Sequence, residues 1–140
     1  MKRRLLSLFC ALVLVFSLAA PALAAENASY YFGYTNVRAY AMGDGEVLFT
    51  VDIDATHSML EVGAEVVAVY EEQSDGSYDI VYIFELEDND YMTVENSWFA
   101  CIDVYYQGIS GHRYYALVGC YARDADGSET LYFETNVVTA

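Results

Sequence analysis

The sequence predicts an all-β fold, an antiparallel sandwich of about seven short strands, and three observations carry that expectation. Asp44-Gly45, Asp75-Gly76 and Asp126-Gly127 each sit between runs rich in Val, Tyr, Phe and Thr. Asp-Gly is a strong hairpin signal, because glycine accepts the positive φ that primed turns require. The runs themselves alternate: Val47, Phe49, Val51 and Ile53 share one face while Glu46, Thr50 and Asp52 share the other, the period of a half-buried strand. Frequent turns between short strands then favour a sandwich over a parallel sheet.

Taken in order, Lys2, Arg3 and Arg4 head an apolar run that ends in Ala22-Leu23-Ala24. Basic head, apolar middle and A-x-A exit are the layout of a secretory signal peptide, with cleavage expected after Ala24. Pro21 and the alanines interrupt the run before it reaches the roughly 20 apolar residues of a membrane span. Cys10 lacks the small residues expected before a lipidated cysteine. Residues 1–24 are therefore read as a leader and 25–140 as one secreted, extracellular domain with no stable membrane anchor once cleaved. Those 116 residues bury roughly 65% of their unfolded surface, enough for one core and not two.

The expected strands cover residues 36–42, 46–53, 65–72, 78–86, 97–106, 114–123 and 129–138. Between the second and third lies a loop through His57. Residues 58–72 are ambiguous, because Met59, Val62, Val66 and Tyr70 would also line a helix face, although Gly63 and the valines favour extended chain. In the fifth strand Trp98, Ala100, Ile102 and Val104 form the inward set. In the seventh, Leu131, Phe133 and Val137 oppose Tyr132, Glu134 and Asn136. Glu85, Glu87, Asp88 and Asp90 read as a solvated loop.

Charge narrows the function classes. Removing the leader leaves Arg38, Arg113 and Arg123 against 21 acids, a formal charge of 3 minus 21, or −18, with no lysine. Nucleic-acid affinity comes mainly from cations that displace counterions, so nucleic acid and anionic lipid are excluded as partners. Cationic, metal-bearing and neutral partners stay open.

The segment Gly111-His112-Arg113-Tyr114-Tyr115-Ala116-Leu117-Val118 resembles the start of the sixth strand in fibronectin type III and immunoglobulin-like domains. There a G-x-x-Y step places a corner tyrosine and the following alternate residues point inward. With its leader, early hairpin and Gly76-Ser77-Tyr78 turn, the chain is also similar to small secreted immunoglobulin-like single-domain proteins of Firmicutes, whose activities are largely unassigned. The resemblance implies an Ig-like sandwich with Tyr114, Ala116, Val118, Cys120 and Ala122 facing the core. Fold alone implies no function.

Candidate chemistry is sparse. Cys101 and Cys120 are open to two readings. In an oxidising compartment a disulfide closing a loop of about 20 residues would add roughly 3 kcal/mol. The strand phase, however, points Cys101 outward and Cys120 inward, which bonding geometry forbids. Asp124, Asp126 and Glu129 resemble the start of a calcium loop, without the continuation that completes one. His57 and His112 are the only histidines, and Ser58 beside His57 makes no triad because sequence neighbours on a strand face opposite ways. No catalytic residue and no cofactor is expected.

Tyr40, Tyr82, Tyr105, Tyr115, Tyr121 and Tyr132 fall on outward phases or in strands whose phase the sequence leaves open. They read either as cross-strand ladders or as rigid amphipathic contacts to a ligand. Tyr105, Tyr115, Tyr121 and Tyr132 with Arg113 and Arg123 are the candidate ligand-binding residues. The expected function is a secreted, non-catalytic domain that binds an extracellular protein or cell-surface component. The alternatives are a carbohydrate-binding module, with or without calcium, and a structural subunit that self-assembles through its edge strands.

Overall fold

A computed structural model of the chain describes residues 29–140. The expected leader, Cys10 included, lies outside the described residues. The strands are β1 (Phe32–Gly43), β2 (Glu46–Glu72), β3 (Tyr78–Glu85), β4 (Thr93–Gln107), β5 (Arg113–Arg123), β6 (Ser128–Glu134) and β7 (Val138–Thr139). Two single 3-10 turns, Leu86–Asp88 and Asp90–Met92, join β3 to β4. The chain is thus all-β and antiparallel with seven strands, as its alternation and turns require. All seven hydrogen-bond into one continuous sheet that curls into a half-barrel.

β2, 27 residues long, sets the layout. Along its first half it pairs with β1 on one edge and β4 on the other, from Val47↔Ala41 and Val47↔Tyr106 through Ile53↔Thr35 and Ile53↔Ala100. Along its second half it pairs with β5 and β3, as in Val67↔Val118 and Val67↔Phe84. The result is a β1-β2-β4 half and a β3-β2-β5-β6 half that share one strand. Between them the β2–β4 register slips from Asp54↔Phe99 to Met59↔Ser97, so four residues of β2 oppose Trp98 alone. Extra residues on one strand bend it and increase its twist, which lets the halves fold toward each other.

The core follows from that bend. Val47, Phe49, Val51 and Ile53 from the first half of β2 are buried with Val62, Ala64, Val67 and Val69 from the second. Ala100, Ile102 and Val104 of β4 join them, as do Tyr114, Ala116, Val118, Cys120 and Ala122 of β5. Each large aliphatic or aromatic side chain so buried contributes about 1.5–3 kcal/mol. Gly63 is required at the crossing, because a Cβ there would lie 2.2 Å from the Met92 carbonyl oxygen. Along the β1 edge, Asn136 stands in for a strand: its Oδ1 accepts the Ala39 N–H at 3.0 Å and its amide donates to the Ala39 carbonyl at 3.0 Å.

Several sequence expectations need correction. The strands expected at 46–53 and 65–72 are one strand, and His57 lies within it rather than in a loop. The strand expected over 129–138 is two, β6 and β7. It breaks because Thr135 turns inward, its Oγ1 accepting the Ala116 N–H at 3.0 Å, which leaves Val137 exposed. Trp98 is not inward: it is 62% exposed, since it sits at the register slip, where Asn96 takes φ 50°. Of the Asp-Gly turns, Asp44-Gly45 has the expected positive φ at both residues, 53° and 87°. Asp126-Gly127 instead closes by side-chain capping, with Asp124 Oδ1 accepting the N–H groups of Asp126 and Gly127 at 2.8 and 3.0 Å.

Tyr114, the expected corner residue, is fully buried. Its hydroxyl accepts the Ile109 N–H at 2.9 Å and donates to Glu71 Oε1 at 3.3 Å. Tyr114→Phe is expected to cost about 1–2 kcal/mol in urea unfolding, the usual loss for such a bond, while Tyr115→Phe stays near wild type. Equal stability of the two variants would show that the corner bonds do not hold the turn.

Candidate functional site

The outer face of the β3-β2-β5-β6 half gathers Tyr70, Tyr78, Tyr115, Tyr121 and Tyr132. On β5 the residues between the buried ones point outward, which places Tyr115 opposite Tyr70 and Tyr121 opposite Gly63 of β2. Tyr70 and Tyr115 stack, with ring centroids 4.8 Å apart and planes 7° from parallel, and Tyr78 meets Tyr115 edge-on at 5.0 Å. This is the cross-strand ladder expected of aromatic neighbours on a pleated face.

At the other end of the face, Tyr121 and Tyr132 line a groove of about 690 Å³ together with Glu65, Val66, Glu85, Leu86 and Glu87. Tyr132 pairs with Gly119, whose missing side chain lets the ring lie across the strand. Tyr132 is 61% exposed. Glu65 is held by the Thr130 hydroxyl, which donates to Oε2 at 2.8 Å. Among the described residues no cation lines this groove, so two amphipathic rings and three carboxylates face solvent together.

The structure therefore divides the candidate binding set. Tyr121 and Tyr132 converge, and Tyr115 shares their face within the stacked cluster. Tyr105 lies on the other half, in a row with Leu48 and Tyr40 across β4, β2 and β1. Arg113 and Arg123 are engaged, by Glu72 Oε2 at 2.8 Å and Glu61 Oε2 at 3.3 Å. Both pairs are exposed, so each stabilises little. Sequence reasoning missed Glu65, Glu85 and Glu87 as groove residues. The acidic run after β3 was the available signal, but in a chain so acidic it does not stand out.

Asp124 is occupied by structural work rather than poised as a calcium ligand. Besides the turn N–H groups, its Oδ2 lies 2.9 Å from His57 Nε2. Foremost the His57 hydrogen bond holds the Asp124 carboxyl below its ordinary value, with the turn N–H groups adding to the effect. Asp126 and Glu129 do not join it: among the described residues no three His, Cys, Asp or Glu side chains are grouped to hold a metal ion. His57 Nδ1 is 2.9 Å from Thr56 Oγ1, so the imidazole pins the bend of β2 to the β5–β6 turn. His112 contacts Glu71 through Nδ1, beside the Tyr114 corner.

Cys101 is exposed and Cys120 fully buried, and both are free thiols. Cys101 pairs with Asp52 in the first half and Cys120 with Ala64 in the second, so the disulfide considered from sequence does not form. Chiefly the hydrogen bond to Asp52 raises the Cys101 thiol, with nearby negative charge and burial acting the same way. Burial pushes Cys120 up to about 12.

No protein-family model matches the chain, and no curated protein matches it. Among solved structures, superoxide reductase from Nanoarchaeum equitans is similar over 71% of this chain and 89% of that chain, at 14% identity and a TM-score of 0.31. A likeness of that size assigns neither fold nor activity. Among the described residues no helix is long and apolar enough to cross a membrane.

Iodoacetamide applied to the native chain without reductant is expected to modify Cys101, more slowly than an ordinary exposed thiol, and to spare Cys120 until denaturation. A disulfide-linked peptide containing both cysteines would contradict the geometry.

Proposed function

We propose that the chain is a secreted, non-catalytic binding domain whose partner is a protein with a cationic surface. The groove of Tyr121, Tyr132, Glu65, Glu85 and Glu87 is its docking site. The supporting observation is the composition of that groove: aromatic rings beside carboxylates, with no cation among the described residues that line it. Tyrosine supplies contact area with few rotamers to freeze, and a lysine or arginine placed between ring and carboxylate gains both cation–π and Coulomb attraction. The formal charge of −18 beyond the expected leader accelerates encounter with cationic partners and repels anionic ones.

The test is binding of the immobilised full chain to arrays of Lys/Arg-rich peptides, acidic peptides and neutral oligosaccharides at physiological salt. The expected result is capture of the basic peptides, weakened about tenfold by Tyr121→Ala or Tyr132→Ala and left unchanged by Tyr105→Ala. Capture of oligosaccharides instead, or indifference to both groove tyrosines in variants that melt normally, would overturn the proposal.

A further inference from the structure

β3 combines three features that are rarely left together on an edge. Among the described residues it pairs with β2 alone, so its other edge carries unpaired backbone donors and acceptors. Its central residues are apolar and open on both faces. Ile80 is 51% exposed, Val81 36%, Tyr82 51% and Ile83 45%. The pairing slips between Val69↔Tyr82 and Tyr70↔Ile80, which leaves Val81 as an extra residue, while Tyr78 and Phe84 at the two ends of the strand pack on Tyr115 and on the core. An exposed apolar edge is a template for a further strand.

The charges around the edge select what that strand can be. Residues 73–92, from the turn before β3 to the end of the 3-10 turns, contain Asp75, Asp79, Glu85, Glu87, Asp88 and Asp90 and no Lys, Arg or His. A second copy paired along β3 would bring two such sets together, twelve carboxylates around the eight exposed apolar residues at positions 80–83 of the two strands. Like charges at a sheet edge are a device against self-pairing. The same arrangement complements a foreign strand with an apolar centre and basic flanks. One end of β3 opens on the groove, since Glu85 closes the strand and Glu85, Leu86 and Glu87 line that groove.

We infer that β3 is a strand-addition site. An extended segment of another protein, apolar at its centre and carrying Lys or Arg at its ends, hydrogen-bonds along β3 and places a basic side chain in the groove. The inference rests on the binding reading above and states how the partner docks. Main-chain bonds along Ile80–Phe84 hold the segment, and Asp79 at one end with Glu85 and Glu87 at the other fix its basic flanks.

The test uses the full chain and three synthetic peptides: Val-Thr-Val-Thr-Val flanked by two lysines at each end, the same core flanked by glutamates, and the lysine peptide N-methylated at alternate core amides. Fluorescence anisotropy gives affinity and hydrogen exchange gives the site. The expected result is saturable binding of the lysine peptide with slowed exchange of β3 amides, binding at least about tenfold weaker for the glutamate peptide, and loss on N-methylation. Glu85→Gln with Glu87→Gln, surface changes that leave melting unaltered, is expected to weaken the lysine peptide several-fold.

Equal binding of the N-methylated peptide with unprotected β3 amides, still sensitive to Tyr121→Ala, would overturn strand addition and leave the groove reading standing. Failure of every basic peptide would overturn both. Concentration-dependent self-association that protects β3 in the absence of peptide would show that a second copy is the occupant and overturn the inference.

Discussion

Backbone pairing along both edges of β2 is the constraint on which the rest of this molecule depends. A strand that hydrogen-bonds to β1 and β4 along its first half and to β5 and β3 along its second cannot slide in either half without breaking pairs in both. The register of each half is therefore fixed by the other. Because side chains alternate strictly, a one-residue slip would turn Val47, Phe49, Val51 and Ile53 to solvent. The bend at residues 55–58 converts this shared strand into an enclosure, since it brings the inward faces of the two halves together around one core. Gly63, the Asn136 amide on Ala39 and the His57–Asp124 hydrogen bond each secure a place where the curled sheet would otherwise open.

Much of this was legible in the residues. The alternation of 47–53, and the resemblance that sets Tyr114 through Ala122, give the correct inward sets, because strands buried on one face must alternate. The same phase argument placed Cys101 outward and Cys120 inward, which outweighs the expectation of a disulfide from compartment alone. What failed did so where local and tertiary forces diverge. The segment through His57 reads as a loop because it is polar, yet pairing on either side draws it into β2. Trp98 reads as inward because it shares the alternation phase of Ala100, Ile102 and Val104, yet the register slip at Trp98 reverses the phase. The candidate site was the least legible part, as its glutamates and tyrosines come from four strands and a turn. Their proximity is set by register, which composition does not encode.

The outer surfaces of the two halves carry different chemistry on the same scaffold. The β1-β2-β4 face bears Tyr40, Tyr105 and Cys101, the last tied to Asp52. The β3-β2-β5-β6 face bears the stacked tyrosines at one end and the acidic groove at the other. Both thiols are held above the ordinary cysteine range, Cys101 chiefly by its hydrogen bond to Asp52 and Cys120 by burial. Among the described residues Arg113 and Arg123 are paired with glutamates and Arg38 is hydrogen-bonded to Asn36, so carboxylates, aromatic rings and one apolar edge dominate the described surface.

The role of β2 as a shared spine is tested most directly by native-state hydrogen exchange across a denaturant series. If one strand unites both halves, the amides of Val47, Phe49 and Val51 and those of Val62, Val67 and Val69 exchange through a common global opening, with the same free energy and denaturant dependence. Independent opening, in which one half of β2 loses protection at low denaturant while the other keeps it, would contradict the account.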